Sequence, residues 1–331
     1  MRAFEVRGGG IEGLTLVERP EPRPGPEQVV VRMRAASLNY RDLKVAEQVK
    51  RPTVPLSDGA GEVVEVGAAV TTLKPGDRVA GSFFQGWIDG PFDPAMGRSS
   101  LGGGRDGVLA ERVLLEAHGV VKLPDSFTFE EAATLPCAAV TAWVGLMVRG
   151  GLRAGETVLA MGTGGVSIFA LQLAKAAGAR VILTSSQDEK LARGKALGAD
   201  EVVNYARTPD WDVQARALTG GRGVDHILEV GGAGTLARSA RATCDGGHIS
   251  VVGLLTGAFP DAAPPDAAAR GLRVDFVRVG SVRHFEELNE AMLRSALRPV
   301  IDRVFRFDEA RRAYEYLRSG RHFGKVVIAI S

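Results

Sequence analysis

Residues 156–190, ETVLAMGTGGVSIFALQLAKAAGARVILTSSQDEK, restrict the fold more than any other stretch of the chain. An apolar run at 157–161 enters Gly162-Thr163-Gly164-Gly165-Val166-Ser167, and then Ile168, Leu171, Gln172 and Lys175 recur at helical spacing as far as Gly178. A second apolar run follows at 180–184. Strand, glycine turn, helix and strand within about thirty residues make the first unit of a dinucleotide-binding sheet. Gly162 permits the tight turn and Gly164 a close approach to a pyrophosphate. The N–H groups opening the helix face that anion along the positive end of the helix dipole. Ser167 stands where the fingerprint has its third glycine. Glycine-rich turns are common, so placement between strand and helix carries the reading.

The end of the second strand reads the ribose. An acidic residue there accepts from a 2′-hydroxyl, but this chain offers Thr184, Ser185 and Ser186, with Lys190 one helical turn later. Hydroxyls and an ammonium favour a 2′-phosphate, so the cofactor expected is NADP(H) rather than NAD(H). The plainer alternative makes Ser186 or Asp188 an N-cap and Lys190 a solvated side chain.

At 331 residues the chain exceeds one ordinary core, so two domains are expected. The net charge of +2 comes from interspersed charges without a basic run, which argues against nucleic acid as a partner. No apolar run approaches the roughly 18 residues that span a bilayer, and the N-terminus lacks a signal-peptide pattern, so no membrane partner and a cytoplasmic location are expected. Two cysteines, Cys137 and Cys244, make neither a disulfide scaffold nor a structural zinc site.

Residues 1 to about 125 read as short strands and turns, with alternation at 28–34, a β-branched run at 62–66 and a Pro-Gly turn before 78–80. Residues 83–107 form a Gly/Pro-rich loop that keeps Phe83, Phe84, Trp87 and Phe92, either as a pocket wall or lid or as a satellite apolar cluster. A helix is expected over 130–148, kinked or divided at Pro136. From 157 onward, apolar runs at 157–161, 180–184, 201–203, 226–230, 248–252 and 273–279 alternate with helical segments and predict six parallel strands in a doubly wound sheet. Two of these runs end at Val230-Gly231 and at Val252-Gly253-Leu254, on the edge where ligands lie in such sheets. Close approach to a nicotinamide and simple turn glycines both remain open. The elements after residue 281 are too few for a core of their own, so they return to the first domain. The expected division is 1–130 with 282–331, and 131–281.

These residues resemble the medium-chain dehydrogenase/reductase superfamily, and most of all its zinc-free quinone oxidoreductases and zinc-independent alcohol dehydrogenases. The resemblance rests on residues 36–42 (ASLNYRD), 58–64 (DGAGEVV) with Gly67, 74–79 (KPGDRV), 132–136 (AATLP), the glycine turn and 320–327 (GRHFGKVV), and it covers essentially the whole chain. It implies an α/β protein with a GroES-like irregular β domain for the substrate and a Rossmann domain for the cofactor. Zinc members carry cysteine at the position of Asn39 and histidine at that of Ser57. Only Cys137 matches a ligand position, and one thiolate falls short of the three protein ligands of a catalytic zinc, so no metal is expected.

Without a Lewis acid, the easier substrates are those whose acceptor carbon is already electrophilic. A quinone or an α,β-unsaturated carbonyl spreads the charge left by hydride addition into an enolate or phenolate that hydrogen-bond donors can stabilise. The candidate catalytic residues are Asn39, Tyr40 and Arg41 by position, and Thr141 by resemblance. The resemblance also sets Tyr205 and Lys190 beside a 2′-phosphate, Phe323, Gly324 and Lys325 towards the cofactor, and Val279, Gly280 and Ser281 along the nicotinamide amide. It suggests a homodimer, through an edge strand at 273–279. Two rivals remain: a zinc-independent alcohol or aldehyde dehydrogenase, and a cofactor-binding module without turnover.

Overall fold

The computed structural model describes residues 1–253, 255–256 and 263–331. Leu254 lies outside the described residues. The chain forms two compact units, Met1–Val140 with Gly280–Ser331, and Thr141–Val279.

The first unit opens with strands β1 (Arg2–Glu5) and β2 (Thr15–Glu18), an antiparallel pair. Strand β3 (Gln28–Leu38) leads into helix α1 (Tyr40–Gln48), and β4 (Asp58–Val66), β5 (Arg78–Gly81), β6 (Arg112–Glu116) and β7 (Val120–Lys122) follow. Its last part before the crossing is helix α2 (Phe129–Ala132), capped by Thr128 and Glu131, then a π-helical turn at Leu135–Ala139 and helix α3 (Val140–Trp143), whose first residue closes the unit. Pro136 sits in that wider turn, where its missing N–H breaks no α-helical ladder. The crossing falls at residues 140–141 rather than after residue 130, because α2 packs on β3 and β4.

The second unit holds β8 (Thr157–Ala160), α4 (Gly165–Ala176), β9 (Arg180–Ser185), α5 (Asp188–Ala196), β10 (Glu201–Asn204), α6 (Trp211–Ala217), β11 (Val224–Glu229), α7 (Leu236–Ala242), β12 (Thr243–Val251) and β13 (Arg273–Phe276). The six strands run in the order β10-β9-β8-β11-β12-β13, and every pairing is parallel. Leu159, Ile182, Ile227 and Ile249 fill its interior without exposure, as strands covered on both faces require. The order reverses at β8 and β11, and the glycine turn follows β8.

The chain re-enters the first unit through α8 (Val282–Arg294), β14 (Ile301–Arg306), α9 (Ala310–Arg318) and β15 (Lys325–Ala329). Strand β15 pairs with β3 and completes a seven-stranded sheet, β14-β15-β3-β4-β5-β7 with β6 on β3. The glycines of β4 have a packing cause. A Cβ on Gly61 would lie 2.1 Å from the Arg32 carbonyl oxygen, and one on Gly59 2.5 Å from the Met33 methyl, so β3 and β4 meet at the irregular register between Met33 and Ala35 only without side chains there.

The loop over 83–107 is built on its aromatics. Phe84 and Phe92 lie 5.2 Å apart by ring centroid, Trp87 and Phe92 5.0 Å apart, and Phe83, Phe84 and Trp87 are buried. Val282 and Arg283, opening α8, donate backbone N–H groups to Trp87 and Ile88. The loop's aromatics thus form an apolar cluster of their own.

Candidate functional site

In the second unit, Gly162 takes the left-handed conformation (φ +75°), and Gly164 is the extended N-cap of α4. The first N–H groups of a helix have no intrahelical acceptor, so those at Gly165–Ser167 open on the strand's carboxyl edge. Thr163 is buried in the turn. The Gly162 N–H donates to Thr184 Oγ1 at 3.1 Å, which ties the turn to the end of β9. The Ser167 hydroxyl donates back to the Met161 carbonyl, a contact that a glycine lacks and one that secures the first turn of α4 against β8. These features suit a dinucleotide pyrophosphate, and the residues present fit the group.

At the ribose end, Ser185 is buried and its Oγ accepts from the Gln187 N–H at 3.3 Å, while Ser186 is exposed. Gln187 is the N-cap of α5, so neither Ser186 nor Asp188 takes that place. Lys190 is buried, not solvated. Asp188 is held by Asn204 Nδ2 at 2.6 Å and by the Arg207 guanidinium. Tyr205 is exposed, and its N–H donates to the Ser185 carbonyl at 3.1 Å, so its backbone lies beside Ser185.

The glycines after β11 are already engaged. Glu229, fully buried, accepts from Gly231 N–H (2.6 Å), Gly232 N–H (3.1 Å) and Thr235 Oγ1 (2.7 Å), and the Ser239 hydroxyl donates to its other oxygen. The turn of Val230 and Gly231 is therefore closed by a carboxylate. Gly253 is required by packing, because a Cβ there would stand 2.4 Å from the Val230 carbonyl oxygen, and Val252 donates its N–H to the Glu229 backbone carbonyl. Glu229 escapes a motif search. Its sequence trace is one acid closing an apolar run, with Thr235 and Ser239 downstream.

In the first unit a buried polar group gathers where β3, α1, β4 and β15 meet. Asn39 caps α1, its N–H donating to Asp42 at 2.7 Å. The ammonium of Lys325, 2 % exposed, donates to the Leu38 carbonyl (2.7 Å) and to Asn39 Oδ1 (2.6 Å). That contact assigns the Asn39 carboxamide, turning its oxygen to Lys325 and leaving the buried Nδ2 as its donor. Nδ2 meets no acceptor in full hydrogen-bonding geometry, although it lies near enough to Asp58 to favour that carboxylate's charged form. Asp58 accepts from Ser57 Oγ (2.6 Å) and from the Cys137 N–H (3.1 Å). Burial pushes the Asp58 carboxyl up and the Lys325 ammonium down, and each charge opposes the other's shift. Burial also lifts the Asp42 carboxyl to about 6, against the pull of Arg41.

Tyr40 lies outside this group, and Arg41 reaches it only through Asp42. The Arg41 guanidinium donates to the Leu101 carbonyl at 3.1 Å, lies 3.4 Å from Asp42 and covers the Phe83 ring at 4.7 Å, so it anchors the aromatic loop. Tyr40 is exposed on the face of α1 shared with Lys44 and Glu47, over a separate hollow of about 470 Å³. Thr141 is the first residue of the second unit and is buried. Val279 ends that unit at φ +58°, a rare conformation for a β-branched residue, and Gly280 opens the next. Ser281 accepts the His284 N–H as the cap of α8. Phe323 is buried, and Gly324, at φ +78°, leaves no room for a Cβ beside the Val300 carbonyl.

Comparison with known proteins gives this geometry its relatives. The zinc-binding dehydrogenase model matches residues 165–295, and the alcohol dehydrogenase GroES-like domain matches 25–125. A zinc-type alcohol dehydrogenase-like protein of Schizosaccharomyces pombe is 43% identical over 92% of this chain and 91% of its own length. The chain is a medium-chain dehydrogenase/reductase. A 2-methylene-furan-3-one reductase of Solanum lycopersicum is 34% identical to this superfamily member over 91% of the chain and 71% of its own length. Among solved structures, one described as an alcohol dehydrogenase from Sinorhizobium meliloti 1021 superposes with a TM-score of 0.91 at 44% identity, covering 99% of this chain and 98% of that one. An NAD-dependent alcohol dehydrogenase superposes at 0.89 with 35% identity over the whole of both chains. A mycobacterial protein solved with NADPH superposes at 0.85 with 28% identity, also over both whole chains. The chain is thus an oxidoreductase of this superfamily, and its relatives support a nicotinamide cofactor.

The superfamily's zinc does not fit these residues. Asn39 and Ser57 hold the polar group near Cys137, burial pushes the Cys137 thiol far above its ordinary range, and Asp58 already accepts from Ser57 Oγ and the Cys137 N–H. Among the described residues no three His, Cys, Asp or Glu side chains gather as a metal-ion set.

Proposed function

We propose that this superfamily member is an NADP(H)-dependent, zinc-independent reductase that passes hydride to a quinone or an α,β-unsaturated carbonyl. One observation carries the reading: the Lys325–Asn39 contact at 2.6 Å, which fixes the Asn39 carboxamide as a hydrogen-bond donor at a position where the zinc members have a metal ligand. The turn Gly162–Ser167 would hold the pyrophosphate, and Ser185 with Lys190 the 2′-phosphate. The bound nicotinamide supplies the hydride. Asn39 Nδ2 donates to the carbonyl oxygen, where charge grows as the acceptor carbon is reduced. Such a donor is worth ~10²–10³-fold in rate when it is preorganised. Lys325 is a positioning residue here: its buried positive charge holds the amide and strengthens the field at Nδ2. A furanone reductase and an NADPH complex among the relatives agree with this substrate class and cofactor.

A second reading, a zinc-independent alcohol dehydrogenase, is favoured by the NAD-dependent alcohol dehydrogenase among the superposed structures. Steady-state assays separate the two. NADPH oxidation driven by quinones or enones, with little NADP⁺ reduction by primary or secondary alcohols, is the expected result; the reverse pattern supports the second reading. Tight NADPH binding without turnover on either panel would make the protein a cofactor-binding module. A homodimer in the cytoplasm completes the proposal, and sedimentation of the purified chain tests its oligomeric part. Among the described residues no helix is long and apolar enough to cross a membrane.

A further inference from the structure

In the second unit two glycine turns follow neighbouring strands, and the second turn contains an anion of its own. Strands β8 and β11 pair in parallel; β8 runs into Gly162–Ser167 and β11 into Val230-Gly231-Gly232. In the first turn the N–H groups that open α4 have no intrahelical acceptor. In the second, Glu229 Oε1 accepts from the Gly231 and Gly232 N–H groups and from Thr235 Oγ1, and Oε2 accepts from the Ser239 hydroxyl. Consecutive backbone N–H groups and hydroxyls are the donors with which a loop holds a phosphate oxygen. Here the oxygen belongs to the protein. Glu229 is fully buried, and among the described residues no cation pairs with it, so these donors alone compensate its charge.

The surroundings fix this arrangement. The Glu229 backbone carbonyl accepts the N–H groups of Val252 (2.9 Å) and Gly253 (3.3 Å), and the Gly231 carbonyl accepts the Thr256 N–H (2.8 Å). A Cβ on Gly231 would stand 2.1 Å from Thr235 Oγ1 and 3.0 Å from Glu229 Oε1, so the turn admits only glycine while hydroxyl and carboxylate are in place. Ser239 Oγ also lies 3.7 Å from Met161 Sδ, and the Met161 carbonyl accepts from Ser167 in the first turn of α4. One chain of contacts therefore runs from the second turn to the first. We propose that Glu229 is a positioning residue for the dinucleotide, a role that rests on reading this sheet edge as the cofactor site. Its carboxylate holds the backbone of residues 230–232, and through Ser239 and Met161 the start of α4, in the shape that the cofactor meets at the carboxyl ends of the strands. Reach is what the role demands. Glutamine keeps the length and an oxygen for the glycine N–H groups, and its NH2 can donate to Ser239 Oγ. Aspartate keeps the charge, but one methylene less prevents it from meeting both the glycines and Ser239.

Fluorescence titration of the full chain with NADPH and with NADH, at a temperature where circular dichroism shows each variant folded, tests this proposal. For the dinucleotide that the wild type binds more tightly, Glu229→Asp is expected to raise the Kd by ~10-fold or more and to shift the emission of the bound nicotinamide, while Glu229→Gln stays within about threefold of the wild type. If Glu229→Asp fails to fold, the double variant Thr235→Val with Ser239→Ala, which strips the two hydroxyls and leaves the carboxylate, decides, with binding weaker by ~5-fold or more expected. A lowered melting temperature with an unchanged Kd in the deciding variant would make Glu229 a stabilising residue only and overturns the proposal. Equal weakening in Glu229→Gln and Glu229→Asp overturns it too, because charge rather than reach would then be at work. A wild type that binds neither dinucleotide overturns the cofactor reading along with the proposal, whereas wild-type binding that the variants leave unchanged overturns the proposal alone.

Discussion

Asn39 shows how much a single residue's surroundings decide. As an N-cap alone it would be replaceable by serine or aspartate at little cost, and by alanine at about 1 kcal/mol. Its side-chain oxygen, however, is taken by a buried lysine. Asn39→Ala should therefore lower kcat on an enone by ~10²-fold while leaving the NADPH Kd within about threefold, measured by steady-state kinetics and fluorescence titration. Equal loss in both would make Asn39 part of the cofactor site. Asp42 gives a pH prediction. Its folded-state pKa of about 6 exceeds the ordinary 3.8, so between those values the folded protein binds more protons than the unfolded chain, and stability falls as pH rises through that window. The full effect is on the order of 3 kcal/mol. Urea midpoints at pH 4.5 and 6.5 should diverge less in Asp42→Asn than in the wild type; equal divergence would place the carboxyl's pKa at its usual value. For cofactor choice, Lys190→Ala with Ser185→Asp should weaken NADPH binding at least 10-fold and improve NADH; an unchanged preference would remove those residues from the 2′-phosphate.

At the scale of elements, strands are legible wherever apolar residues run unbroken, and six of them assemble into the expected parallel sheet, in an order that the sequence does not reveal. Ends were less legible. Strand β3 continues to Leu38 because β4 and β15 flank it on both sides, information that no local pattern in QVVVRMR carries. The glycine turn was readable because its chemistry is local. The Lys325–Asn39 contact was not, since 286 positions separate the partners. The orientations of Tyr40 and Arg41 are not readable for a related reason: adjacent residues on a helix start face different ways, and only α1's packing shows which of them turns inward. The β3–β4 approach yields a test of its own. Gly61→Ala should cost roughly 2–3 kcal/mol or prevent folding, because its Cβ meets backbone rather than a movable side chain. A melting temperature within 1–2 °C of the wild type would mean that the two strands have slack there.

For the whole molecule, the superfamily fold constrains chemistry less than its retained and missing ligands do. Alcohol dehydrogenases and an NADPH-bound protein share this architecture, so the proposed function rests on the polar group around Asn39 rather than on the fold. The account stands or falls on whether that group replaces a metal. The most direct measurement is enone-driven NADPH oxidation by chelator-treated protein whose metal content has been verified by mass spectrometry, in the wild type and in Asn39→Ala. Full turnover of the metal-free wild type, with the variant ~10²-fold slower, is the predicted result. Activity that vanishes with the metal and returns on adding zinc, or that persists undiminished in Asn39→Ala, would contradict it.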